Sequence, residues 1–117
     1  AHAIGTNADI NTSGKILFIE DVGEQRYNIE RMLLQLKRAG KLHKLKGLVV
    51  GGFTDSRDTD RPFGKPVYQL IHDLVCDYKY PISFGFPISH EKENVAIIIG
   101  STYRLEVSEN GTALSSC

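Results

Sequence analysis

Apolar runs of strand character alternate with apolar positions at helical spacing along most of the chain. In Gly14–Glu24, Ile16-Leu17-Phe18-Ile19 is continuous, which predicts a strand buried on both faces; it ends abruptly in Glu20 and Asp21. Between Tyr27 and Ala39, Ile29, Met32, Leu33 and Leu36 fall at i, i+3, i+4 and i+7, one face of a helix. Gly40 supplies its stop, and Lys37, Arg38 and Lys41 suit the negative end of its dipole. Gly47–Phe53 predicts a second buried strand, which runs into a polar loop from Thr54 to Lys65. Pro66 stands at the first position of a second helix striped by Val67, Leu70, Ile71, Leu74, Val75 and Tyr78. Pro81 ends it, and Ile82–Phe86 predicts a third strand.

The flanks follow other patterns. Ala1–Gly5 reads as the tail of a helix closed by glycine, and Ala8–Ile10 as a short edge strand. With the turn cluster Asn11–Gly14 between them, residues 8–20 are expected to form a hairpin. Beyond His90, Val95–Ile99, Tyr103–Val107 and Thr112–Ser115 predict an antiparallel meander. Its turns fall at Gly100-Ser101 and at Asn110-Gly111, a type I′ signal.

The order β-α-β-α-β predicts an α/β domain with a parallel sheet and right-handed crossovers, and the meander is added to it. The carboxyl ends of the three strands then share one edge, where ligands bind in open α/β sheets. Glu20, the Thr54/Asp55 loop and His90 all fall on that edge.

A length of 117 residues implies one domain, and 41% apolar with 24% charged residues is ordinary globular composition. Lys+Arg and Asp+Glu balance at 14 each, which argues against a nucleic-acid binder. No apolar run approaches the roughly 20 residues of a membrane span, and no signal peptide is visible. The two cysteines, Cys76 and Cys117, form neither a disulfide framework nor a zinc motif. Cys76 is expected as a small buried residue, and a reducing compartment fits.

Among chemical candidates His90 leads, because an imidazole can act as general base near neutral pH when an acceptor orients it. Glu20 can supply that acceptor. Alternation puts Glu20 and Asp21 on opposite sides, and the residues alone leave both open as caps or ion-pair partners. His2, His43 and His72 rank below it, His43 and His72 being read as structural or solvated, and Glu24 and Glu30 are read as surface or helix-start charges. The Arg57, Asp58, Asp60, Arg61 run lacks the glycine and distal glutamate of a calcium loop. There is no GxSxG elbow, Ser89 is adjacent to His90 and points away from it, and Gly51-Gly52 lacks a phosphate loop's lysine and spacing. The sequence thus holds a base and its orienter without a nucleophile.

The block Gly14–Glu24, with Tyr27-Asn28-Ile29-Glu30-Arg31-Met32-Leu33 and Gln35-Leu36-Lys37, closely resembles the C-terminal domain of serine LD-carboxypeptidases, the muramoyltetrapeptide carboxypeptidases. The likeness continues through Gly40-Lys41-Leu42, Gly51-Gly52-Phe53-Thr54-Asp55 and Phe84-Gly85-Phe86-Pro87 to His90. The resemblance implies a small β/β/α swivelling-type domain. It also implies a Ser–His–Glu triad in which Glu20 and His90 come from this domain and the serine from an N-terminal one. The implied reaction removes the terminal D-Ala from cell-wall tetrapeptides during peptidoglycan recycling in the cytoplasm, by a homodimer and without cofactor or metal. Family members usually flank the histidine with glycines, where this chain has Ser89 and Glu91, and a proline common in the following strand is replaced within Ile97-Ile98-Ile99. Ala1 is expected to begin inside the linker between the two domains, so the nucleophile domain is absent and the chain alone is expected to be inactive. The related microcin C immunity peptidases, which cleave an aminoacyl nucleotide, resemble the chain around Ile19-Glu20-Asp21. A non-catalytic binding or dimerisation domain is a third reading.

Overall fold

The computed structural model describes residues 1–90 and 92–117. Its elements are β1 (Ile16–Val22), α1 (Arg26–Arg38), β2 (Gly47–Thr54), α2 (Val67–Val75), β3 (Ile82–Ser83), β4 (Tyr103–Ser108) and β5 (Gly111–Ser116). The first three strands form a parallel sheet in the order β1-β2-β3, and β4 and β5 form a separate antiparallel pair. Adding strands in one direction with right-handed crossovers places both helices on the same face. Ile29 and Leu33 of α1 and Val67, Leu70, Ile71 and Val75 of α2 accordingly join Leu48 and Val50 of β2 in one buried cluster. The β4–β5 hairpin packs on the opposite face, where the Ser83 hydroxyl pairs with that of Thr112 at 2.9 Å. The result is the expected α/β domain, a helical layer, a parallel sheet and an antiparallel layer.

The strand buried on both faces is β2, not β1. Gly47–Gly52 are all buried, whereas every residue of β1 is half-buried or exposed because β1 forms an edge of the sheet. The expected partner at residues 8–10 does not pair with it. That segment is tied instead to the α1–β2 connection. Lys41 Nζ donates to the Ile10 carbonyl and meets Asp9, each at 2.7 Å, and the buried Thr12 hydroxyl donates to the Lys41 carbonyl at 2.7 Å. Ala1–Gly5 forms successive turns rather than a helix end.

Several boundaries shift for local reasons. Pro66 is the N-cap of α2 rather than its first residue, and the helix ends at Val75, leaving Tyr78 beyond it. Cys76 is the C-cap and is exposed, not buried. β3 has only two residues, since the chain turns at Gly85 (φ 65°) and crosses over β2. Residues 95–99 form no strand. The Ile98 N–H is satisfied by the Tyr103 hydroxyl at 2.9 Å, and β4 takes β5 as its partner, so the meander reduces to one hairpin. The hairpin loop is Glu109-Asn110, and the only positive φ there is at Gly111 (133°). It is therefore not a type I′ turn, which needs positive φ at both central residues.

Candidate active site

Leu17 and Ile19 pack against the helical cluster, so strand alternation turns Phe18 and Glu20 to the other face and Asp21 to the helical side. The register of β1 on β2 breaks at this point. Ile19 pairs with Val50 and Asp21 with Phe53, leaving two residues, Gly51-Gly52, opposite Glu20. An extra residue of this kind locally bends a strand and re-aims the side chains beside it.

The loop after β3 closes over that bulge. The Phe86 N–H donates to the Val50 carbonyl at 3.0 Å. The Ile88 carbonyl occupies the space a Cβ on Gly51 would need, and the Phe18 ring lies 2.9 Å from the same point. Only glycine admits so close an approach of backbone. The loop is fixed further by Ile88 N–H to the Phe86 carbonyl (2.7 Å), Val95 N–H to the Pro87 carbonyl (2.7 Å) and Ser89 N–H to Asn94 Oδ1 (3.3 Å).

These constraints bring His90 Nδ1 to 3.3 Å from Glu20 Oε2. Oε2 is buried and makes no hydrogen bond among the described residues, and the imidazole, 3.3 Å away, is the group placed to satisfy it. The His90 side chain is 62% exposed. With Nδ1 facing a carboxylate, Nε2 lies on the far side of the ring and is the nitrogen left to exchange a proton with a reactant. Glu91, expected beside His90, lies outside the described residues.

The neighbouring acids have other roles. Burial pushes the Asp21 carboxyl above its ordinary range; the Val22 N–H opposes this, and Glu24 and Glu20 add to it. Glu24 is held low chiefly by the Asn28 amide and next by the Gln25 N–H, and its Oε1 accepts from both, at 3.0 and 2.7 Å, at the start of α1. Thr54 pairs with Val22, while Asp55 is exposed beyond the strand end with φ 53°, so the Thr54/Asp55 loop does not join the pair. Asp58 bonds Arg26 at 3.2 Å. His43 lies against Tyr78 and His72 near Asp73 and Phe84. No group of three or more potential metal-ligating residues is assembled among the described residues. An open groove of about 840 Å³ between the Ser83–Pro87 segment and the hairpin does not include Glu20 or His90.

Sequence reasoning missed the parts that set this geometry, namely Gly51, Asn94 and Tyr68, whose hydroxyl donates to the Gly51 carbonyl at 3.1 Å. The available signal was the Gly-Gly pair inside an apolar strand, which marks a bulge or a close backbone approach.

The sequence model of the LD-carboxypeptidase C-terminal domain matches residues 1–105. The chain belongs to that family. It is 34% identical over 113 residues to a probable murein peptide carboxypeptidase of Bacillus subtilis, covering 97% of this chain and 35% of that one. To the murein tetrapeptide carboxypeptidase of Pseudomonas aeruginosa it is 30% identical over 94 residues, covering 80% of this chain and 30% of the relative. The crystal structure of a muramoyltetrapeptide carboxypeptidase from Oxalobacter formigenes superposes with a TM-score of 0.81 at 35% identity, covering 97% of this chain and 38% of that one. This LD-carboxypeptidase domain thus spans about a third of the length of these relatives. Structures of the microcin C7 self-immunity protein MccF share the fold, with a TM-score of 0.62 at 22% identity over 75% of this chain and 26% of theirs. No helix among the described residues is long and apolar enough to cross a membrane.

Proposed function

We propose that the chain supplies His90 and Glu20 of a Ser–His–Glu triad whose serine, with the oxyanion-binding donors, lies on chain outside these 117 residues. His90 Nε2 takes the serine proton as the hydroxyl oxygen attacks the carbonyl carbon between the third residue and the terminal D-Ala of a cell-wall tetrapeptide. The proton passes to the leaving D-Ala amine, and water then hydrolyses the acyl-enzyme with His90 again as base. Glu20 holds the Nδ1–H tautomer and stabilises the imidazolium when it forms. The observation that carries the reading is the 3.3 Å approach of Nδ1 to an otherwise unpartnered buried carboxylate oxygen. The names of the relatives favour a murein peptide substrate, and peptidoglycan recycling in the cytoplasm by a homodimer belongs to the same proposal.

The test is D-Ala release from tetrapeptide by a longer protein containing this domain. Glu20→Gln or His90→Asn should lower kcat by about 10²–10⁴-fold, the range of general-base catalysis, and the 117-residue chain alone should be inactive. Wild-type rates in His90→Asn, or Glu20-dependent release by the chain alone, would overturn the assignment. Cleavage of an aminoacyl nucleotide in place of tetrapeptide would overturn the substrate.

A further inference from the structure

The same bulge that faces Glu20 is held from a second direction. Tyr68 is the second residue of α2, its ring tilted against Phe84 with centroids 5.6 Å apart, and its hydroxyl donates to the Gly51 carbonyl at 3.1 Å. Bulged residues lose regular ladder pairing, so a side-chain donor to this carbonyl is what fixes the orientation of the Gly51 peptide. That peptide is the surface on which the Ile88 carbonyl rests, and His90 follows two residues later. Through the Gly51 backbone Tyr68 is connected to both members of the pair, with Glu20 opposite the bulge on β1 and His90 on the loop seated over it.

We propose that Tyr68 is a positioning residue for the Glu20–His90 pair, acting through the Gly51 carbonyl. This rests on the reading of that pair given above. The planar ring, 38% exposed, is held by Phe84 on one side and stands on a helix whose adjacent Val67 is buried, so the hydroxyl works as a strut from α2 to the bulge. Replacing it with phenylalanine removes the strut and keeps the packing against Phe84. The consequence is a Gly51 peptide free to rotate, a relaxed Ile88 contact and a His90 ring no longer aimed at Glu20.

The experiment is nitrogen-15 NMR of the imidazole of His90 in the 117-residue chain, read as the ratio of Nδ1–H to Nε2–H tautomers, together with thermal melting. Glu20→Gln should shift the ratio toward Nε2–H, which establishes that the pair is coupled. Tyr68→Phe should shift it in the same direction. Tyr103→Phe removes another hydroxyl bonded to backbone, at Ile98, and should leave the ratio unchanged. A Tyr68→Phe chain that melts lower yet keeps the wild-type ratio would make Tyr68 a purely structural residue and overturn the proposal. No shift in Glu20→Gln would instead overturn the coupled pair itself, and the positioning role with it.

Discussion

Gly51→Ala is the sharpest probe of how the fold builds this site. An added Cβ would fall well inside contact distance of the Ile88 carbonyl oxygen, 2.9 Å from Phe18 Cε2 and 3.1 Å from Phe18 Cζ. Comfortable carbon contacts begin near 3.5 Å, so the carbonyl must retreat by on the order of 1 Å. Backbone cannot rotate out of the way as a side chain can, and Phe86 and Val95 pin it on either side through bonds to Val50 and Pro87. Overpacking of this kind costs about 1–3 kcal/mol. At about 4 °C per kcal/mol for a chain of this size, Tm should fall by about 4–12 °C. Gly47→Ala is the internal control on the same strand, as neither glycine has a positive φ. Its Cβ would meet chiefly Leu105 Cδ2 at 2.7 Å, the end of a flexible side chain, with Pro81 O and Ile16 Cγ1 at ordinary distances of 3.5 and 3.7 Å. A Gly→Ala change also removes about 0.4–1 kcal/mol of unfolded-state entropy, so Gly47→Ala should stay near wild-type stability. Thermal melting and the His90 tautomer ratio are measured in both. Equal melting of the two variants, with an unchanged ratio in Gly51→Ala, would refute the argument that the missing Cβ seats the His90 loop.

Asp21→Asn should raise stability at pH 7. A carboxyl whose folded pKa lies above its ordinary value of 3.8 loses stability as pH rises from that value through the folded one, so the gain should vanish in urea melts below about pH 3.8; an equal gain at both pH values would remove Asp21 ionisation as the cause. Asp73, held low chiefly by Lys65, loses its contribution as pH falls through its folded pKa, but does so equally in both chains and cancels. Tyr80→Phe should leave stability unchanged or slightly higher, because the Tyr80 hydroxyl is buried without a hydrogen-bond partner among the described residues; a loss above about 1 kcal/mol in urea unfolding would contradict this. Burial, with Tyr78 adding to it, also pushes the Tyr80 pKa up to about 12.

The helices and β2 were legible because an amphipathic stripe and a doubly buried run each have one dominant explanation. The edge position of β1 was not, for a physical reason. An apolar residue reports which faces of a strand are covered, and β1 has the helical cluster under Leu17 and Ile19 and the Phe18 contact with Gly51 on its other face. Whether a neighbour also occupies the hydrogen-bonding edge leaves no mark in that pattern. Residues 95–99 misled in the opposite way. Their β-branched side chains read as a strand of the meander, yet the segment pairs with nothing as a strand among the described residues and Ile98 and Ile99 are 71% and 80% exposed. The convergence of Glu20 and His90 followed from element order alone. The place of the bulge did not: Gly51-Gly52 marks that one can form, but its position opposite Glu20 depends on the register between two strands, which neither strand's sequence specifies by itself.

The exposure of the pair bears on how the proposed triad would work. Near water a side-chain hydrogen bond contributes about 1 kcal/mol, equivalent to about a fivefold bias in the tautomer of a neutral imidazole. His90, at 62% exposed, is in that regime here. The same geometry counts for several times more once water is excluded and the effective dielectric falls. Under the proposed function, the serine must approach Nε2 from the exposed side of the ring, since Nδ1 is committed to Glu20. Chain that delivers the nucleophile there would cover the imidazole by the same contact. Under that proposal, completing the triad and strengthening Glu20's hold on His90 would be one event.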